Sequence, residues 1–320
     1  MLSGWPALEG RPYIYLMAKS YRYLHYDVFT DRLFGGNQLA VFLDGRGLSS
    51  ETMQAVANEM NFSETTFVLP SEHHETDFRL RIFTPGTELP MAGHPTIGSA
   101  FALARAGVLE PGRDGFVFGL GVGPTPVTLT WKDGDLDFVW MTQRLPVFSE
   151  PIANPGGAAR ALGLPEAAVA GAGLPVQVVS CGLPYLIVPL ATRRAVDNAA
   201  SHFEAIDAFF RSDGVEASGV FLFSHERGGD KATVYSRMFA PEVGVAEDPA
   251  TGSASGPLGC YLVRHKVVSA AKAGAILNLQ GVKMGRPSHV HVSIGVEQGE
   301  IVSVRVGGEA VLAGEGTLYI

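Results

Sequence analysis

Two stretches of this 320-residue chain are distorted copies of each other, and that duplication restricts the folds open to it more than any other feature. Gly93-His94-Pro95-Thr96-Ile97-Gly98-Ser99-Ala100 and Glu247-Asp248-Pro249-Ala250-Thr251-Gly252-Ser253-Ala254 carry Pro, Gly, Ser and Ala at the same offsets. Upstream of them, Arg81-Ile82-Phe83-Thr84-Pro85 is matched by Arg237-Met238-Phe239-Ala240-Pro241, and a weaker echo relates residues 36–43 to 182–189. The two strong matches lie 154 and 156 residues apart, so a two-residue insertion or deletion between them keeps both in step. Three matches in one order indicate two homologous halves. Each copy sets a polar residue before Pro, then small and hydroxyl residues before an apolar run, which is the pattern of a helix start with a capping side chain and Pro in its first turn. The two helix starts are expected to face one another across a pseudo-twofold cleft.

The length suits two domains of about 150 residues each. Hydrophobic residues make up 46% and charged residues 18%, enough apolar content for two cores. No stretch is long and apolar enough for a membrane helix, and a net charge of −8 argues against a nucleic-acid surface, which needs clustered Lys and Arg. An anionic ligand must be held by local donors. Cys181 and Cys260 show neither metal spacing nor a disulfide framework, which fits a reducing, cytoplasmic setting. Residues 1–16 lack the apolar core of a signal peptide and are read as an extension ahead of a natural start near Met17.

Periodicity predicts strands at 21–29 and 38–44 forming a hairpin, a helix from 51 to about 60 capped by Ser50, and a strand opening near Glu64. A further strand covers 77–83, and an almost uncharged helix runs from Pro95 to about Ala106, which needs walls on every side. Strands at 116–118, 126–131 and 136–141 are expected to supply them. The second half repeats the order: strands near 176–180 and 185–188, one helix over 193–211, strands at 220–224 and 233–239, and a buried helix opening at Asp248 and kinked at Gly256-Pro257. Strands near 276–280, 289–294 and 301–306 follow, and 309–320 returns to complete the first half.

Two helix N-termini at one cleft offer free amide donors and the positive ends of two dipoles, a ready site for a small carboxylic acid. Glu64, flanked by Phe62, Phe67 and Val68, is the candidate general acid and base, because burial lifts a carboxyl toward the range where it can take and return a proton. His94 can donate a hydrogen bond, shuttle a proton or cap its helix, and Asp248 can orient His94 or a substrate amine, or cap in turn. Gly119-Leu120-Gly121-Val122-Gly123-Pro124 lacks the spacing of a dinucleotide fingerprint, and Gly252-Ser253-Ala254-Ser255-Gly256 puts Ala at the centre of what would be a nucleophile elbow. His73-His74, His289 and His291 read as a solvated turn and a strand face, so no metal is expected.

Asn61-Phe62-Ser63-Glu64-Thr65, Ala92-Gly93-His94-Pro95-Thr96-Ile97-Gly98, Glu247–Ala254 and Gln280-Gly281-Val282-Lys283-Met284-Gly285-Arg286-Pro287-Ser288 together resemble the signature of the PhzF-like phenazine-biosynthesis isomerase family, over about 21–306. The resemblance implies an α+β fold similar to diaminopimelate epimerase, two homologous domains each built as a β-barrel around a central helix, with the site between them. Residues 17–133 with about 307–320 would form the first domain, and 134–306 the second. It places the family's catalytic residues on Glu64, His94 and Asp248 and its substrate contacts on Gly93, Thr251, Gly252 and Ser253. It further implies a cofactor-independent proton shift between carbons of a small carboxylic or amino acid, in a homodimer. The alternatives are a same-fold epimerase or racemase with two facing thiols, disfavoured because neither helix start carries Cys, and a non-catalytic small-acid-binding protein.

Overall fold

The computed structural model describes residues 19–241 and 244–320; the extension expected over residues 1–16 lies outside the described residues. The chain is mixed α and β. Its strands are β1 (Ser20–Val28), β2 (Asn37–Phe42), β3 (Glu64–Pro70), β4 (Phe78–Phe83), β5 (Glu88–Leu89), β6 (Gly115–Leu120), β7 (Gly123–Lys132), β8 (Asp135–Gln143) and β9 (Val147–Pro151), then β10 (Gln177–Ser180), β11 (Pro184–Pro189), β12 (Val220–Ser224), β13 (Val234–Ala240), β14 (Val245–Asp248), β15 (Ile276–Gln280), β16 (Ser288–Glu297), β17 (Glu300–Gly308) and β18 (Ala310–Tyr319). The helices are α1 (Ser50–Met60), α2 (Gly93–Arg105), α3 (Pro155–Ala161), α4 (Ala167–Ala170), α5 (Arg193–Asn198), α6 (Phe203–Asp213) and α7 (Gly252–Arg264).

Strand pairing repeats along the chain. β2 and β3 are parallel, as are β11 and β12; β4 and β6 are parallel, as are β13 and β15. The predicted hairpin is β1–β2, echoed by β10–β11. β8 and β17 pair with each other and link the two series, while β18 returns to β1 and β9 reaches β10. Each series therefore sends its last strand to the first strand of the other. Parallel neighbours need a crossover connection, and α1 supplies it in the first series and α5 with α6 in the second.

Two helices run through the interior. Every residue of α2 from Gly93 to Leu103 is buried, and so is every residue of α7 from Gly252 to Leu262. α2 packs on β1, β2, β3, β8 and β18, and α7 on β10, β11, β16 and β17. Small residues (Gly98, Ala100 and Ala102; Ala254, Gly256 and Gly259) let strands come close on all sides: a Cβ on Gly259 would lie 2.6 Å from Val292 Cγ1. No helix among the described residues is long and apolar enough to cross a membrane.

Several expectations need correction. α1 is capped by Ser49, whose Oγ accepts from the Thr52 N–H, and Ser50 is its first helical residue. The single helix expected over 193–211 is two, α5 and α6, separated by the extended residue Ala199. α7 does not open at Asp248, which ends β14 opposite Met238. The following Pro249 disfavours the helical region for the residue before it, so Asp248 stays extended. Pro257 does sit inside α7, and the helix continues through it to Arg264.

Candidate active site

The N-termini of α2 and α7 meet. A Cβ on Gly93 would lie 2.5 Å from Gly252 Cα and 2.8 Å from the Ser253 nitrogen, so only glycine permits the approach. Neither helix has a side-chain cap. Ala92, at the N-cap of α2, has no polar atom to offer, and Thr251, at the N-cap of α7, turns its hydroxyl instead to Asp248 Oδ2 at 2.5 Å. The expected capping roles of His94 and Asp248 are thus not taken up, and the first-turn amides are left without side-chain caps.

Beside this junction lies a cavity of about 80 Å3, lined by Glu64, Gly93, His94, Asp248, Thr251, Gly252 and Ser253 together with apolar groups that include Leu183, Met238 and Val245. All seven residues picked out from sequence surround one space. Glu64 enters as the first residue of β3, held by pairing with Leu39 of β2. His94 is the second residue of α2, and its Nε2 stands 3.2 Å from Glu64 Oε2 without a hydrogen bond aligned between them. Glu64, His94 and Asp248 are 8%, 2% and 5% exposed.

Burial dominates their chemistry. It pushes the Glu64 carboxyl well above the usual carboxylate range, and the negative charge of Asp248 pushes it further. It drives the His94 imidazole down to about 3 against the opposing influence of the Gln38 backbone, so His94 is neutral at physiological pH. Asp248 rises to about 6 through burial; hydrogen bonds from Thr251, Asn37 and Ser63 counter part of that rise, and Glu247 adds to it. The site therefore contains a carboxyl that retains its proton unusually well, a neutral imidazole, and a second carboxyl titrating near neutrality.

Four groups not anticipated from sequence hold these in place. Asn37 Nδ2 donates to Asp248 Oδ1 at 2.7 Å and to the Ala250 carbonyl at 3.0 Å. Gln280 donates to the Asp248 carbonyl and to Thr251 Oγ1, and accepts from the Thr251 N–H. Tyr185 OH lies 2.7 Å from Ser253 Oγ, and Gln143 Nε2 donates to the Gly252 carbonyl. The signals were partly present: Gln280 opens the last resemblance motif and Tyr185 lies in the weak echo, whereas Asn37 in Gly35-Gly36-Asn37 looks like turn punctuation. Cys181 and Cys260 are buried with their sulfurs 3.9 Å apart, and neither lines the cavity. Among the described residues no cluster of three or more His, Cys, Asp or Glu is placed to hold a metal ion.

Residues 26–316 match the family described as phenazine biosynthesis-like protein. The chain belongs to that family. It is an isomerase, as its relatives are: it is 36% identical over 314 residues to an isomerase of Mesorhizobium japonicum, covering 93% of this chain and 98% of that one. It is 35% identical over 300 residues to the trans-2,3-dihydro-3-hydroxyanthranilate isomerase of Pseudomonas aeruginosa, covering 94% of this chain and all (100%) of that one. Among solved structures, the PhzF-family phenazine biosynthesis protein of Bacillus anthracis superposes with a TM-score of 0.82 at 28% identity, over 94% of this chain and 100% of that one. A hydroxyproline epimerase of Agrobacterium vitis shares the fold, with a TM-score of 0.66 at 14% identity over 94% and 93% of the two chains.

Proposed function

We propose that this isomerase moves a proton between two carbons of a small unsaturated carboxylic acid bearing an amino or hydroxyl group, with Glu64 as the only proton carrier and no cofactor. The observation that carries the reading is the placement of one buried, proton-retaining carboxyl beside two uncapped helix N-termini. The substrate carboxylate accepts from the first-turn amides of α2 and α7 around Gly93, Gly252 and Ser253, where two helix dipoles and several N–H groups favour an anion. Thr251 and Ser253 supply hydroxyls at the same end. Ionised Glu64 removes a proton from one carbon. Its raised proton affinity makes it a strong enough base for that step and lets it return the proton to a neighbouring carbon as the double bond shifts. Neutral His94, 3.2 Å from Glu64, orients the carboxyl, and Asp248 lies where a substrate amino or hydroxyl group can reach it.

The name of the Pseudomonas relative makes trans-2,3-dihydro-3-hydroxyanthranilate the first acid to try. A two-thiol epimerase mechanism has no support, because both sulfurs lie outside the cavity. We further infer two lobes, each a curved sheet around its own helix, with the seam after β8 and not at 133/134 as expected from sequence, since β8 packs on α2 while β9 pairs with β10. A homodimer is inferred from family membership. The test of the function is incubation in D₂O with that acid. Deuterium is expected at carbon with the wild type and none with Glu64→Gln, which still binds a carboxylate analogue. Equal incorporation by both proteins would remove Glu64 from the mechanism, and binding without exchange by the wild type would favour a small-acid-binding role.

A further inference from the structure

Asn37, fully buried at the start of β2, touches both halves of the proton machinery. Its Nδ2 lies 2.7 Å from Asp248 Oδ1, 3.0 Å from the Ala250 carbonyl and 3.1 Å from His94 Nδ1, and its Oδ1 has no hydrogen-bond partner. An amide nitrogen has two hydrogens, and here it meets three acceptors. Turning the amide over gives no relief, because its oxygen would then face a carboxylate and a carbonyl. We propose that Asn37 is a positioning residue that ties the protonation of Asp248 to the tautomer of His94, and so sets whether the imidazole presents a bare nitrogen or an N–H to Glu64. This rests on the reading of Glu64 as the acid and base.

The two arrangements follow from counting hydrogens. When Asp248 is ionised, the Asn37 hydrogens go to the charged Oδ1 and to the Ala250 carbonyl. His94 Nδ1 receives none and carries its own hydrogen. The bare Nε2 then faces Glu64, and only protonated Glu64 is attracted to it. When Asp248 is protonated, the proton resides on Oδ1, because Thr251 already donates to Oδ2 and is itself held by Gln280. That O–H repels the amide, which turns one hydrogen toward His94 Nδ1. The ring keeps its hydrogen on Nε2, where it faces Glu64 Oε2 as a donor. Asp248 exchanges its proton with solvent while the ring stays neutral in both states, so the tautomer follows the titration of Asp248 and Glu64 meets either a bare nitrogen or an N–H.

Other titratable groups around Asp248 do not provide this link. Tyr185, from β11, is pushed up by burial and stays neutral. Glu247 is held by Arg237 through two hydrogen bonds of 2.7 and 2.8 Å. Asn37 reaches both Asp248 and His94 through one amide nitrogen.

The test reads tautomers directly on the full-length protein labelled with 15N-histidine. Long-range 1H–15N spectra are recorded from pH 4.5 to 8, with His94 assigned by its loss in His94→Gln. The wild-type ring is expected to pass from Nε2–H to Nδ1–H as pH rises through the titration of Asp248. Asn37→Leu should hold it as Nδ1–H throughout, and Asp248→Ala, in which Asn37 is intact, should hold it as Nε2–H. A single wild-type tautomer across the range, a switch in Asn37→Leu like that of the wild type, or Nδ1–H at pH 8 in Asp248→Ala would each overturn the proposal. A fall in stability with an unchanged switch would do the same, reducing Asn37 to a strut. If Asn37→Leu does not fold, the wild type and Asp248→Ala decide alone. No substrate is needed, so the outcome does not depend on whether Glu64 turns over any given acid.

Discussion

Replacing Gly93 with alanine tests the abutment of the two helices most directly. The new methyl would lie 2.5 Å from Gly252 Cα, 2.7 Å from its carbonyl carbon and 2.8 Å from the Ser253 nitrogen, all backbone atoms with no rotamer to escape into. Restoring ordinary contact near 3.4 Å requires the helix ends to part by about 1 Å. Overpacking of that kind costs roughly 1–3 kcal/mol, and a misplacement of about 1 Å in catalytic geometry costs on the order of 100-fold in rate. Gly93→Ala should therefore lower the thermal midpoint by a few degrees and reduce deuterium exchange into substrate by about two orders of magnitude. Gly252→Ala should be milder, because its methyl meets the movable Phe29 ring at 2.9 Å and Gly93 Cα at 3.0 Å. Gly274→Ala, with nothing within 4 Å, is the neutral control. Wild-type exchange by Gly93→Ala would show that the helix junction does not set the geometry of the site, whatever happened to its melting point.

Asp27→Asn should destabilise the fold by about 3 kcal/mol, the lower end of the range for breaking a buried ion pair, since Arg286 retains the Gly35 and Gly36 carbonyls as partners; urea unfolding measures it. Folded Asp248 keeps its proton to about pH 6, whereas an unfolded aspartate releases it near 3.8, so the folded state binds the extra proton between those values and stability falls as pH rises through them. That fall amounts to roughly 3 kcal/mol. Asp248→Asn should lose it, while the opposite-signed contribution of His94 is common to both proteins; equal changes in unfolding free energy from pH 4 to pH 7 would contradict the assignment. Substrate deuterated at the donor carbon and turned over in ordinary water should yield product that retains some label at low conversion, because one shielded carboxyl both takes and returns the proton. Complete washout would point to two separate groups.

Much of the site was legible because the chemistry is concentrated in short motifs. The repeat pointed to two facing helix starts, and Gly93 and Gly252 do meet. The register of the repeat was less reliable. Its copies align His94 with Asp248, yet the helices begin at Gly93 and Gly252, which makes His94 and Ser253 the equivalent second residues. Proline explains the slip: Pro95 falls in the first turn, where its missing N–H has no partner to lose, whereas Pro249 follows a strand residue that it keeps extended. The division of 193–211 into two helices was missed because the Ala199-Ala200-Ser201-His202 break contains neither Gly nor Pro. The return of 309–320 to the first half was expected and is seen as β18 on β1, whereas the reach of β9 to β10 was beyond local pattern, since which edge a strand joins is decided by tertiary pairing. Asn37 was hidden for a related reason: a turn asparagine and a buried double donor look alike until the opposing chain is in place.

The duplication also bears on the proposal that one carboxyl carries the proton. β3 and β12 occupy the same place in their series, each parallel to the strand before it and antiparallel to the strand after it. Aligning Phe83 with Phe239 through the antiparallel registers brings Thr65 to the place of Val220, so Glu64 corresponds to Gly219, which has no side chain to titrate. Ala40 and Leu186, the parallel partners of Thr65 and Val220, are then equivalent, and counting back along each strand matches Asn37 with Leu183. One half carries Glu64, His94 and Asn37; the other presents Gly219, Leu183 and the Ser253–Tyr185 hydroxyl pair. A symmetric cleft with a base on each face would invert a carbon, taking the proton from one side and giving it back on the other. An asymmetric cleft with a single base must return the proton on the side it came from, and the productive outcome is then its arrival at a different carbon.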